Sequence, residues 1–524
     1  MRERRLGGWG FRGCEARPSA QLVEFLRGQL GVGDGLPEAE VARFALPKPK
    51  SLPKFPAATV RSAWVRVFYC LGQSFPDLLA LRTATQTVFP EAVLLPTTPE
   101  EVQKALNVAA REGLAVIPRG GGTSVVGGVS VDDRHRPVVV MALERLKGME
   151  SLDGRSGLAT FLAGTSGPEV EQTLSANGFW LGHEPQSFEL STVGGWVATR
   201  SAGHRSTGIG KIEDLVAGLE VALPSGIWRL PAQPASAMGP EFRRVFCGSE
   251  GRLGVITKVT LRLRPRRNQD PGAAFLLPSF SAGLEVCRNL LQRGWAPEVV
   301  RLSDAVETAF ALRLANLGRL ASVARDLLVR WRPTGCLLLL GFGNVPQGFR
   351  EMRRMLRAHD AIPLGVSPWE QWKKDRFLHP YFRDWFLSSG YGVDTFETAA
   401  PWSALERLYQ SVRGALEKVA DGFHQRVVVL CHLSHAYRDG ACLYFTFFWP
   451  LTPSLALEHW RAYKEASVEA LLALGATVSH HHGVGRMHTA YWPKEVGEEG
   501  VRGLQSLAQA WDPQGVLNPG TLLP

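Results

Sequence analysis

The sequence has little that would export it, anchor it through a bilayer or fit it to nucleic acid. Its seven cysteines, Cys14, Cys70, Cys247, Cys287, Cys336, Cys431 and Cys442, are odd in number and show no CxxC pair or regular spacing. That excludes a disulfide framework and a cysteine-rich zinc site, and it fits a reducing compartment. No stretch approaches the roughly 18 apolar residues that a membrane-spanning helix needs. The basic start, MRERRLGGWGFRG, runs into glycines rather than into an apolar signal core. Zinc-ligand spacing, basic-zipper heptads and an aromatic RNA-binding signature are missing, so nucleic acid is not an expected partner. The formal charge of +10 instead suits an anionic small molecule or an acidic lipid surface.

What is present is enough for a large core. A chain of 524 residues with 45% hydrophobic content should divide into two or three domains. Residues 1–85 read as a helical region. A strand at Ala92 to Leu95 then meets Thr98, Pro99, Glu100 and Glu101, an N-cap, an N1 proline and a capping-box acid in order. Val102, Ala105, Leu106 and Ala109 follow at helical spacing, and Leu114 to Ile117 is a second strand. From there to about residue 268 short strands, glycine turns and short helices alternate. Residues 269–485 read as a second, substrate-covering domain, and 486–524 as a segment returning to the first. The expected class is α+β.

Three segments carry the chemistry. The first is Pro118, Arg119, Gly120, Gly121, Gly122, Thr123 and Ser124, directly after an apolar strand. Successive glycine N–H groups there can converge on a pyrophosphate, and the two hydroxyls can add to them; a plain tight turn is the competing reading. The second holds Gln186, Ser187, Phe188, Glu189, Leu190, Ser191 and Thr192, then Thr199, Arg200, Ser201 and Ala202, small enough for a planar ligand to lie on backbone. The third is Glu250, Gly251, Arg252, Leu253, Gly254, Val255 and Ile256, another small-residue turn entering a strand.

In order and spacing these segments resemble the PCMH-type FAD-binding domain of the vanillyl-alcohol oxidase superfamily. The resemblance implies that the residues just named line FAD. Relatives that tether the flavin covalently place a histidine where this chain has Thr123, so a non-covalent cofactor is implied. Further stretches, GHEPQSFELSTVGGWVATR, VVRLSD, FRDW, FETAAPW, DGACLYF and SHHHGVG, are similar to the alkyldihydroxyacetonephosphate (alkylglycerone-phosphate) synthase family of ether-lipid biosynthesis. That family exchanges the acyl group of acyl-dihydroxyacetone phosphate for a long-chain alcohol with no net flavin redox, the flavin serving as a nucleophilic tether. The resemblance makes Tyr444 the proton donor and acceptor, Arg383 a substrate-binding residue and Arg301 important for activity.

Read for their own chemistry, these residues leave alternatives open. His480, His481 and His482 look like a strand end, with His480 and His482 on one face and His481 on the other. They suit acid–base or phosphate-binding work or a structural cluster; with no third ligand evident nearby, no metal site is expected. If charged, they would depress the Tyr444 phenol pKa. Asp304 and Asp384 are the ordinary ion-pair partners expected for Arg301 and Arg383, and a guanidinium left free would instead grip phosphate or carboxylate.

Ile209 and Arg252 depart from the family pattern, and Leu517-Asn518-Pro519-Gly520 is an ending closer to redox flavin oxidases. An FAD-dependent oxidase or dehydrogenase of a 2-hydroxy acid is therefore the rival function, and a non-catalytic FAD- or lipid-binding protein a third. Neither end carries a peroxisomal address. The expected setting is cytoplasmic with peripheral membrane contact, and a homodimer is an open expectation.

Overall fold

The computed structural model describes residues 3–133, 135–295, 297–314, 331–343 and 348–523. Apolar runs set the first sheet: strands Ala92–Leu95 and Ala115–Arg119 flank Val138–Ala142 in parallel, and Ala58–Val60 adds an antiparallel edge. The helix Pro99–Arg111 starts where Thr98 accepts the Glu101 N–H at 3.1 Å. The expected capping box closes one residue early, because the Glu101 carboxylate reaches the N–H of Thr97 at 2.6 Å. Val102, Ala105, Leu106 and Ala109 are fully buried against the sheet, where each large apolar side chain contributes about 1.5–3 kcal/mol.

A second, five-stranded antiparallel sheet follows, with Val255–Arg262 between Leu158–Leu162 and Val216–Leu223. The third sheet has seven antiparallel strands, in the order Ile362–Gly365, Gly272–Leu277, Cys336–Gly341, Val299–Ser303, Val428–Ala436, Gly440–Pro450 and Tyr391–Pro401. One of its faces packs on helices such as Phe280–Gln292 and Trp402–Gly422 in the largest core. The fold class is α+β.

Both chain ends are tied into this frame. Leu22, Leu26 and Leu30 of the helix Ala20–Leu30 join the core of the seven-stranded sheet. Near the other end, Val116 donates to the Val516 carbonyl at 2.8 Å and accepts from the Asn518 N–H at 2.9 Å. The Asn518 amide then donates to the carbonyls of Gly128 and Glu250, so the C-terminal turn bridges the first and third glycine-bearing segments.

Phe445 is fully buried and stacks on Phe396 at 5.1 Å across neighbouring strands. Replacing it with alanine empties a site with no room to collapse. Phe445→Ala is expected to cost about 3–5 kcal/mol, read as a lower midpoint in urea unfolding.

Candidate active site

The three glycine-bearing segments meet. A Cβ on Gly121 would overlap the Leu190 carbonyl, one on Gly120 would overlap the Thr192 hydroxyl, and one on Gly251 would lie 2.9 Å from Pro118 Cγ. The segments therefore approach one another more closely than any residue but glycine permits at these positions. The N–H groups of Gly121, Gly122, Thr123 and Ser124 donate to no protein group among the described residues, which leaves a nest of donors suited to a pyrophosphate. The Ser124 hydroxyl instead shapes the loop by accepting from the N–H groups of Val126 and Gly128.

Several other side chains in these segments serve protein contacts. Ser191 accepts from the Trp196 indole at 2.7 Å, Ser201 bonds His183 at 2.7 Å, and Thr199 donates to the Gly195 carbonyl. Arg119 is buried over the Tyr69 ring and donates to the Phe68 carbonyl, while Arg200 turns outward to Glu213. Gln186 donates to the Arg376 carbonyl, Phe188 stacks on Phe377, and Glu189 accepts from the Tyr381 hydroxyl, so this segment meets the part of the chain that carries Arg383. The departure at Arg252 has a partner of its own: the guanidinium reaches the buried Asp512 and the Leu517 carbonyl of the C-terminal turn.

Above this cradle, the register of the seven-stranded sheet sets a row of side chains. Tyr444 pairs with Glu397 on one neighbouring strand and with His432 on the other. A bulge at Ser434 resets the alternation so that His435 pairs with Cys442 and shares the face of His432 and Tyr444. The Tyr444 ring lies 5.0 Å from the nearly parallel His432 ring and 6.1 Å from the nearly parallel His481 ring, with His482 edge-on at 5.7 Å.

The histidines are not on a strand. Residues Ser479 to Gly483 form an irregular turn around the buried Glu397 carboxylate, which accepts the backbone N–H groups of His480, His481 at 3.1 Å and His482 at 2.8 Å, and the Ser479 hydroxyl at 3.1 Å. The strand-based expectation that His481 points away is thus corrected: the anion curls the backbone, and His481 and His482 both face Tyr444. Burial, countered in part by Glu397, holds His480 and His481 well below the usual imidazole range. Neutral imidazoles cannot depress the phenol, and burial pushes the Tyr444 pKa up. Against the expectation of no third metal ligand, ring nitrogens of His435, His480 and His481 lie within 4.8 Å of one another, as do donor atoms of Glu397, His481 and His482.

Neither arginine has its expected partner. Arg301 binds Glu307 at 2.6 Å rather than Asp304, and also contacts His432 at 3.3 Å. Asp304 instead holds Arg413 and Tyr409. Asp384 is taken by Arg5 and Arg82, leaving Arg383 with no ion-pair partner among the described residues. Its guanidinium donates to the backbone and side-chain carbonyls of Gln73, and its buried Nε has no partner. Arg383 lies close enough to Tyr444 for the two to interact electrostatically.

A family model for an FAD binding domain matches residues 90–230, and one for the C-terminal domain of FAD linked oxidases matches 268–522. Alkyldihydroxyacetonephosphate synthase of Trypanosoma brucei brucei is 28% identical over 477 residues, 88% of this chain and 78% of that protein. The enzyme of the same name from Dictyostelium discoideum is 27% identical over 94% of this chain and 84% of its own length. A solved alkyldihydroxyacetonephosphate synthase structure superposes with a TM-score of 0.86 over 98% of both chains at 25% identity. The chain is an FAD-linked flavoprotein that resembles alkyldihydroxyacetonephosphate synthase. A glycolate oxidase subunit of Bacillus subtilis is more distant, at 23% identity over 83% of the chain and 89% of its own length.

The residues present fit FAD: unpartnered N–H groups stand ready for its phosphates, and close-packed glycines leave the loop accessible. In this flavoprotein Gly121→Ala is expected to push the loop off Leu190 at a cost of about 1–3 kcal/mol, roughly a 10–100-fold weaker FAD Kd by fluorescence titration. Gly414→Ala, whose Cβ would meet nothing within 4 Å, is expected to leave FAD binding unchanged.

A pH dependence follows from the buried imidazoles. His183, His435, His480 and His481 have folded pKa values below the unfolded value of 6.5, so the unfolded chain binds more protons as pH falls through 6.5 and stability drops. Glu250 and Asp304, raised by burial to about 7 and about 6, act oppositely as pH falls toward their unfolded values, but the lowered imidazoles are more numerous. The melting temperature of the holoprotein is expected to be lower at about pH 5.5 than at about pH 7.5.

Proposed function

We propose that this chain is an alkylglycerone-phosphate synthase-type transferase that exchanges the acyl group of acyl-dihydroxyacetone phosphate for a long-chain alcohol. The observation that carries the reading is Tyr444, fixed between two imidazoles, within electrostatic reach of Arg383, a buried guanidinium with no carboxylate paired to it among the described residues. FAD, held without a covalent bond by the three glycine-bearing segments, would supply a nucleophilic centre at this site. Tyr444, kept protonated by burial, exchanges the proton on the substrate carbon and on the alcohol oxygen. Arg383 binds the phosphate, to which it brings a charge that no carboxylate among the described residues pairs with. His481 and His482 line the other side of the phenol and can donate hydrogen bonds to the departing carboxylate. Arg301 and Glu307 hold His432 against the Tyr444 ring.

Both substrates carry long chains and one carries phosphate, so we place the protein at the surface of a membrane, drawn by its net charge of +10. Among the described residues no helix is long and apolar enough to cross a bilayer. A homodimer belongs to the same proposal and is read directly by sedimentation.

The test is mass spectrometry of the products from acyl-dihydroxyacetone phosphate plus hexadecanol under anaerobic conditions, with the flavin spectrum recorded alongside. Alkyl product with unbleached flavin supports exchange; bleaching by lactate or glycolate with no alkyl product supports the hydroxy-acid oxidase instead. Tyr444→Phe is expected to lower the exchange rate by about 10²–10⁴-fold with FAD retained. Arg383→Met is expected to raise KM for the phosphorylated substrate by about 10–100-fold, the loss of a charged hydrogen bond worth roughly 1.5–3 kcal/mol.

A further inference from the structure

Beside the Tyr444 ring, three imidazoles from two different elements converge. His435 comes from the bulged strand, and His480 and His481 from the turn around Glu397; one ring nitrogen of each lies within 4.8 Å of the others. His435 is 4% exposed, and its Nδ1 is buried without a hydrogen-bond partner, an unsatisfied group that proteins rarely leave unused. His480 is oriented from outside the cluster, its Nε2 meeting the Tyr437 hydroxyl at 2.6 Å while its Nδ1 faces His481 Nδ1 at 2.9 Å. A hydroxyl on the far nitrogen is the arrangement that fixes the tautomer and angle of a ligating histidine.

We propose that His435, His480 and His481 bind one divalent transition-metal ion of the Zn²⁺ type, and that the filled site reversibly silences the enzyme. Three neutral-nitrogen donors select Zn²⁺, Co²⁺, Ni²⁺ or Cu²⁺ and reject the oxygen-seeking Mg²⁺ and Ca²⁺. Zn–N bonds of about 2.0–2.1 Å in a tetrahedron set the nitrogens roughly 3.3 Å apart, a spacing that small side-chain rotations reach from separations of no more than 4.8 Å. The fourth position stays open for water or an anion. The alternative set, Glu397 with His481 and His482, is the weaker one, because the Glu397 oxygens are already engaged by the N–H groups of His480, His481 and His482. Metal on His481 draws that ring away from the Tyr444 face and freezes the turn, which is how binding stops turnover. Binding itself does not depend on the proposed reaction; only the silencing does.

The experiment titrates Co²⁺ into EDTA-treated, desalted holoprotein and follows visible d–d absorption as a difference spectrum, then repeats the titration with His435→Asn. The wild type is expected to take up one equivalent with a tetrahedral spectrum that Zn²⁺ displaces and millimolar Mg²⁺ does not. His435→Asn is expected to bind Co²⁺ more weakly by more than the ~10–100-fold that loss of an outer partner costs. In the exchange assay, stoichiometric Zn²⁺ is expected to inhibit the wild type and EDTA to restore it, while the rate that His435→Asn retains is expected to be insensitive to Zn²⁺. Absence of a d–d spectrum, or equal Co²⁺ binding by His435→Asn, overturns the site; binding without inhibition overturns the silencing. Should His435→Asn lose its fold, His481→Gln gives the same cobalt readout without needing activity. A metal-free wild type with no exchange activity would count against the proposed function and leave the cobalt result to judge the site.

Discussion

The Glu397 carboxylate is buried and accepts hydrogen bonds from three consecutive backbone N–H groups, those of His480, His481 and His482, and from the Ser479 hydroxyl. Burial alone would raise its pKa, but the histidine turn closed around it, with three backbone N–H groups donating to the carboxylate, overrides burial and holds it well below the carboxylate range. An anion in that position selects one backbone path, because each donor left unpaired in the interior would cost about 1–3 kcal/mol. The path it selects turns His481 and His482 onto the same phenol. Without the carboxylate, three adjacent histidines have no reason to share a side.

That turn also joins the two halves of the molecule. Glu250, in the third glycine-bearing segment, accepts the N–H groups of Val484 and Gly485, and Lys211 donates to the His480 carbonyl at 2.7 Å. The flavin-binding part thereby grips the histidine turn from below while Glu397 of the large sheet grips it from above. A displacement of either part moves the imidazoles relative to Tyr444. Arg383 is coupled in the same way, since Gln73, its partner, belongs to the N-terminal region and donates its own N–H to the Ser124 carbonyl of the first glycine loop.

Local sequence signals located most of the elements. Thr98 and Pro99 marked a helix start, and the run from Ala441 to Trp449 marked the strand that carries Tyr444. The glycine loop was legible because its chemistry lies in the backbone. The rest of the site was not, for reasons that are non-local. His432 and His435 are three residues apart, and strict alternation puts them on opposite faces; only the bulge at Ser434 unites them. Glu397 sits unremarked in FETAAPW, the one charged residue of that motif and fully buried in its strand, and that oddity was the signal available. Glu307 displaced Asp304 as the partner of Arg301 because the helix Ala305–Leu314 turns it toward the sheet, which adjacency in sequence does not reveal. The histidine turn read as strand because its curvature comes from a residue more than 80 positions away.

The account rests on Glu397 shaping that turn, and hydrogen exchange read by mass spectrometry on Glu397→Gln holoprotein measures it most directly. The amide keeps the volume but loses the charge and one acceptor. Exchange at the N–H groups of His480, His481 and His482 should quicken sharply while the strands carrying Phe445 and Val429 stay protected, FAD stays bound and turnover collapses. Unchanged protection of those three groups together with undiminished turnover would contradict it.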